Sequence, residues 1–337
     1  MGKWQYTKGL HDIGNGVFAY LQPDGSLGLS NAGLLVERDS SILVDTLIDL
    51  PLTREMLAAM SSATPAAKNI DILVNTHANL DHTFGNQLVR GAEIIASAAC
   101  AEEMRQENPA LLEAFRNWRS LGLRGQLIHR AMSRFNFDEI VITPPTRTFD
   151  GQKLSLPLGD RIVEVIHVGP AHTRGDVIIH SPKDKVVFTG DILFVGGHPV
   201  IWVGPWSHWI EACERILELD VDVVVPGHGP ITDKTGVREM LNWIVYLRDE
   251  ARARYEAGLS VEETVRDIKL YFPVSQWIDA DRIVNNVNLL FQEFGGRGVI
   301  SDLVEMVGIQ ERLGLIAPIS VGRDAPIDAP PRSPRAT

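Results

Sequence analysis

Residues 75–86 read NTHANLDHTFGN, directly after the apolar run IDILV. His77, Asp81 and His82 crowd one short polar stretch, and imidazole with carboxylate is a donor set for Zn(II), Fe(II) or Mn(II). The same arrangement recurs along the chain: an apolar strand runs into a small-residue loop that presents Asp or His. VEVIHVGPAH delivers His172, KVVFTGD delivers Asp191 and DVVVPGHG delivers His228. SILVDT offers Asp45 in the same way, read here as an acceptor behind the ligands rather than a ligand. Glycine beside the donors, at Gly169, Gly190, Gly227 and Gly229, permits tight turns and close backbone approach. Any one of these histidines alone is an ordinary polar loop residue; their joint occurrence in this order points to a metal centre. His11, His129, His167, His180, His198 and His208 match no donor position and are read as structural, although His198 and His208 flank the loop after Asp191.

Rigid strands must hold those loops, because strands fix position while loops carry the chemistry. The pattern predicts strands at GVFAYLQ, NAGLLVE, SILVDT, IDILVN and AEIIAS, with a helix at 51–62 started by Pro51. A long helical stretch, 98–135, follows. Strands resume with RTFDG, KLSL, RIVEVIHV, DVIIHS and KVVFTGD. A Gly- and Trp-rich loop at 190–206, a helix at 207–219 and the strand in VDVVVPGHG come next, and the chain is then read as helical to about 294. Strands and helices alternate in two successive halves, so α/β layers are expected, with helices outside a core of paired sheets.

At this point the chain resembles the metallo-β-lactamase-fold superfamily, and its glyoxalase II-type hydrolases more than the true β-lactamases. HANLDH, GPAHTRGD, FTGD and PGHG match that family's motifs in order, over roughly residues 14–235. The resemblance implies an αββα sandwich with metals at one edge of the two sheets. It implies that His77, the residue at 79 and His172 hold a first metal, that Asp81, His82 and His228 hold a second, and that Asp191 bridges. The departure is Asn79, which stands where the family has its second histidine. An amide oxygen is a poorer donor than imidazole, so tight metal is expected in the second site, with the first weak, substrate-assisted or empty. Asn79 is either a weak ligand, or no ligand and a hydrogen-bond donor to a water on the metal or to a substrate oxygen; the second is favoured. The organisation expected is a catalytic domain over 1–235 with the 98–135 insertion, a C-terminal helical extension over 236–315, and a disordered Pro- and Arg-rich tail over 316–337.

The function expected is a zinc-dependent hydrolase, with one or two ions per chain, acting through metal-activated water on a small organic ester, lactone, thioester or amide. Asp81 would orient or deprotonate the nucleophile, and His172, if the first site is empty, would donate a proton to the leaving group. Alternatives are a mononuclear Fe(II) dioxygenase of the persulfide type, using His77, His172 and Asp191, or a hydrolytic dehalogenase of an aromatic. GLSNAG at 28–33 is not the Gly-x-Ser-x-Gly of a serine hydrolase, since Ala32 takes the last glycine. A formal charge of -11 argues against nucleic acid or an anionic membrane as the main partner. Cys100 and Cys213 are read as buried thiols, and with no apolar leader or long apolar run the protein is expected to be cytoplasmic. Trp202, Trp206 and Trp209 form either an aromatic substrate wall or loop packing. The 98–135 insertion serves as a lid, a dimer surface or plain core, and the apolar face of WIDADRIVNNVNLLFQEFGG caps the core or makes a homodimer.

Overall fold

The apolar runs of the first half become one sheet and those of the second half another. A computed structural model describes residues 4–317; most of the expected disordered tail lies outside them. Strands β1 (Gly9–Gly14), β2 (Val17–Leu21), β3 (Ala32–Glu37) and β4 (Ser40–Val44) form antiparallel hairpins. β5 (Ile72–Val74), β6 (Glu93–Ser97) and β7 (Arg147–Phe149) continue in parallel, giving a seven-stranded sheet in sequence order. β8 (Lys153–Leu158), β9 (Arg161–His167), β10 (Val177–Ser181), β11 (Val186–Phe188) and β12 (Val223–Val225) make the second sheet, ordered β12-β11-β10-β9-β8. β1 is the one strand the pattern did not predict: GLHDIG has no apolar alternation, and it is recruited as a half-exposed edge by pairing with β2.

The inner faces of the two sheets meet in a single apolar layer: Leu35, Val44 and Val74 from one, Val163, Ile179 and Phe188 from the other. Each such side chain, fully buried, contributes roughly 1.5–3 kcal/mol. On the outer face of the first sheet lies α1 (Leu50–Ala63), whose Met56 and Met60 pack on Leu34 and Leu73. Its start is set by Asp49, whose carboxylate accepts from Leu52 N, with Pro51 in the first turn. A short α2 (Leu80–Thr83) follows β5. The 98–135 stretch is helical but broken into α3 (Ala98–Gln106), α4 (Asn108–Arg116) and α5 (Gly122–Met132).

The second sheet is covered by α6 (Trp206–Glu218), α7 (Lys234–Glu256), α8 (Val261–Asp267), α9 (Arg282–Glu293) and α10 (Leu303–Arg312). α9 spends its apolar face on this layer, with Val287, Leu290 and Phe291 fully buried beside Trp243 and Leu247 of α7. α10 lies beyond the expected helical end near 294: the glycines of GGRG at 295–298 break the periodicity, and Asp302 restarts a helix by accepting from Val304 N. The layers are helix, sheet, sheet, helix, the expected α/β sandwich. Cys100 and Cys213 are free and buried. No helix among the described residues is long and apolar enough to cross a membrane.

Candidate metal centre

The loops leaving β4, β5, β9, β11 and β12 gather at one edge of the sandwich and bring His77, Asp81, His82, His172, Asp191 and His228 together. Each histidine is anchored through Nδ1. His82 Nδ1 lies 2.8 Å from Asp45 Oδ2, and His77 Nδ1 2.9 Å from Thr76 Oγ1. His172 donates from Nδ1 to the Val200 carbonyl at 2.6 Å, and His228 to the Gly25 carbonyl at 2.9 Å. Asp45 also accepts from Thr76 N and Thr76 Oγ1, at 2.7 and 2.6 Å, so it stands behind His82 as an orienting acceptor. With every Nδ1 engaged, the four Nε2 atoms turn inward and are the nitrogens left to ligate once they carry no proton.

Those Nε2 atoms converge on Asp191. His82 Nε2 is 3.1 Å from Oδ1, while His228, His172 and His77 Nε2 are 3.3, 3.5 and 3.9 Å from Oδ2. Asp81 Oδ2 lies 3.3 Å from His228 Nε2. Two sets each have one donor atom per residue within 4.8 Å of one another: His77, His82 and Asp191, and Asp81, His82 and His228. The first of these joins His77 to His82 where the resemblance implied His172.

The chemistry of the set fits a cation. His77 Nε2, His82 Nε2 and Asp191 Oδ1 are buried without a hydrogen-bond partner, the 3.1 Å approach of the last two lacking hydrogen-bond geometry. An unsatisfied buried polar atom costs about 1–3 kcal/mol, so three at one point call for a common partner. The electrostatics agree. Burial works against the charge of Asp191, yet His228 and His82 hold its carboxyl well below the usual range. Burial opposes Asp81 as well, but His82 and His228 bring it to about 2. Burial likewise opposes protonation of His228, and Asp191 and Asp81 outweigh it, pushing it up to about 9. Against the same burial, Asp191, Asp45 and Asp81 raise His82 well above the ordinary value. Burial, and then the charge on His82, push His77 down, and burial lowers His172.

Asn79 caps α2 with its backbone, the carbonyl accepting from His82 N at 3.1 Å. Its side chain has a partner that the sequence did not assign: Nδ2 donates to His172 Nε2 at 3.0 Å. That contact occupies the atom with which His172 would ligate. Of the donor set, only Asp81 reaches the wall of a neighbouring cavity of about 680 Å³, beside Asn79. The remaining wall is mostly apolar, including Leu111, Phe115 and Met132 of the 98–135 insertion and Leu303 of α10. Trp202 lines it, half exposed, whereas Trp206 and Trp209 are core residues that donate from Nε1 to the Ile244 and Ile192 carbonyls. His208 sits behind the His172 loop with Nδ1 3.1 Å from the Pro170 carbonyl, and His198 is buried between Trp243 and Trp277.

Sequence reasoning missed Thr76, the two anchoring carbonyls, and Asp176. The Asp176 carboxylate accepts from Ala171 N, Thr173 N and Thr173 Oγ1, and so shapes the turn that carries His172. Asp176 stands four positions after His172, at the end of GPAHTRGD.

Known proteins place this geometry in context. The family model described as Metallo-beta-lactamase superfamily matches residues 25–228. The alpha subunit of 2,4-dinitroanisole O-demethylase from Nocardioides sp. (strain JS1661) is 28% identical over 201 residues, covering 58% of this chain and 51% of that one, so the chain spans about half its length. The acyl-coenzyme A thioesterase MBLAC2 of Homo sapiens is 25% identical over 246 residues, covering 64% of this chain and 79% of the relative. Among solved structures, the sec-alkylsulfatase Pisa1 from Pseudomonas sp. has a TM-score of 0.67 at 16% identity, over 86% of this chain and 50% of that one.

Proposed function

The chain belongs to the metallo-beta-lactamase superfamily, and on that premise we propose that it is a metal-dependent hydrolase of a small, largely apolar ester, lactone, thioester or amide. The observation that carries this reading is the mostly apolar cavity of about 680 Å³ that opens on Asp81 and Asn79. That volume suits a drug-sized or acyl-chain ligand, and apolar walls with few polar groups at one end suit a substrate whose reactive bond lies there.

Asp81, His82, His228 and Asp191 are the preferred ligands, and His77 and His172 the donors for a second ion. A divalent ion bound there supplies Lewis acidity, making water a nucleophile near neutral pH and polarising the bond under attack. Asp81, with its pKa near 2, stays ionised, so its carboxylate can accept a hydrogen bond from the attacking water and hold it towards the cavity. Neutral His172 presents an accepting Nε2 to Asn79; as a proton donor to the leaving group it would first have to be charged, which burial opposes. Asn79 lines the cavity beside Asp81, and the N–H that its amide does not give to His172 can orient the substrate carbonyl. Apolar side chains around it exclude bulk water and strengthen these interactions.

A second reading is hydrolytic displacement on an activated aromatic ring, by dehalogenation or ether cleavage. Trp202 and Phe115 in the wall favour it, and the demethylase relative acts on an aromatic methyl ether by its name. Turnover of p-nitrophenyl esters from acetate to dodecanoate, with halide release from chlorinated aromatics in parallel, separates the two. The ester reading expects kcat/KM to rise with chain length and to vanish on chelation. Equal rates for all chains, or rates indifferent to chelator, would overturn it. Elemental analysis of the same protein, purified without added metal, distinguishes zinc from iron, and bound iron directs the search to oxygen uptake.

A further inference from the structure

Segment 114–137 carries five arginines and no carboxylate in a chain of formal charge -11. Arg116 is used structurally, donating to the carbonyls of Phe137, Asp138 and Ile140. Arg119, Arg124, Arg130 and Arg134 make no salt bridge among the described residues, although the Asp24 carboxyl, lowered by its hydrogen bond with Ser26, is lowered further by nearby Arg134. Acidic side chains elsewhere neutralise many of the cations. A concentration of guanidinium groups without salt bridges on an acidic protein is a local region of positive potential.

Two of these arginines flank the cavity, although neither is among the residues that line it. Arg124 precedes Ile128 and Ala131 at helical spacing on α5, so it continues the helix face on which those lining residues stand. The first turn of a helix is an unfavourable place for a cation, and no acidic residue there offsets it. Arg134 donates to Ser26 Oγ at 3.1 Å and to the carbonyl of Leu27, whose side chain also lines the cavity. Arg174 lines it too, but Glu103 and Glu107 neutralise it. Leu27, Leu111, Trp202, Val203 and Leu303 line the same cavity while a third to a half exposed, so its mouth has an apolar rim.

We propose that this cavity takes an amphiphile: an acyl or aryl body against the apolar wall and a phosphate-bearing head outside it, drawn by Arg124 and Arg134, which flank the cavity from opposite ends of α5. Guanidinium forks match phosphate oxygens, and charge-assisted bonds at a half-dry rim are stronger than neutral ones. The proposal rests on the reading of this cavity as the substrate site, and it names the class of substrate that site selects.

Displacement of the neutral apolar fluorophore N-phenyl-1-naphthylamine from the protein as purified tests it, with decyl phosphate (below its micelle concentration), decanol, inorganic phosphate and phosphatidylglycerol vesicles as competitors. Decyl phosphate is expected to displace the probe at about tenfold lower concentration than decanol, an advantage that added salt reduces. The Arg124→Gln/Arg134→Gln variant is expected to lose that advantage while decanol acts as before. Should decanol displacement fail in the double variant, marking a damaged cavity, Arg124→Gln alone must lower the advantage about threefold or more. Equal displacement by decyl phosphate and decanol overturns the proposal, as does an advantage that survives the substitutions or that inorganic phosphate reproduces alone. Arginine-dependent vesicle binding that leaves the probe in place also overturns it, assigning the charge to a membrane surface. No turnover is read, so an inactive ester panel would sink the hydrolase reading and leave this one standing, and the reverse holds equally.

Discussion

Asp45 reaches no metal-facing position, yet it decides which nitrogen of His82 is free. Its carboxylate takes Nδ1, and Thr76 holds that carboxylate from two sides. Asp45→Asn keeps the shape but weakens this acceptor, and metal affinity is expected to fall about 10–100-fold by chelator competition. An unchanged affinity would reduce Asp45 to packing. His228 sets the pH behaviour. Its pKa of about 9 means that the metal-free protein holds this proton throughout the neutral range, and a cation must displace it. Metal binding should therefore tighten by at least about tenfold per pH unit up to about pH 9, since His82, also raised well above its ordinary value, holds a second proton that the cation must displace. A flat profile from pH 6 to 9 would refute it.

At the scale of elements, the 98–135 stretch was legible as helix, because its apolar spacing is local. Its division into α3, α4 and α5, and its use as a cavity wall, were not, since both depend on what Phe115, Ile128 and Met132 find opposite them. α5 runs along the cavity, so its small residue Ala131 sets how much room is left. Ala131→Trp is expected to shorten the longest ester accepted and to cut kcat/KM for that ester about tenfold or more, while short esters are spared. Equal losses for short and long esters would mean that the helix is not a wall of the binding site.

For the whole molecule, the C-terminal helices complete the outer layer of the second sheet. Phe291 and Val287 of α9 share one apolar cluster with Ile178 and Val224 of the strands and Trp209 of α6. We therefore expect the 1–235 and 236–315 regions to unfold together in one calorimetric transition. Phe291→Ala should lower the stability of that single transition by about 3–5 kcal/mol. Two resolved transitions, with only one shifted by the substitution, would separate the regions.

By itself the sequence determined which residues are candidate donors and the strands that carry them, because a strand and the loop leaving it are contiguous and their residue types can be read together. Asp81, His82 and Asp191 were visible for that reason, as was the sandwich that alternating strands and helices require. Only the tertiary structure decided which atoms those residues present. The carbonyl that fixes His228 is 203 positions away, that of His172 is 28 away, and Asn79 meets His172 across 93. Such contacts leave no mark on local periodicity: a backbone carbonyl is common to every residue, and which one becomes a ligand's anchor depends on how two sheets close on each other.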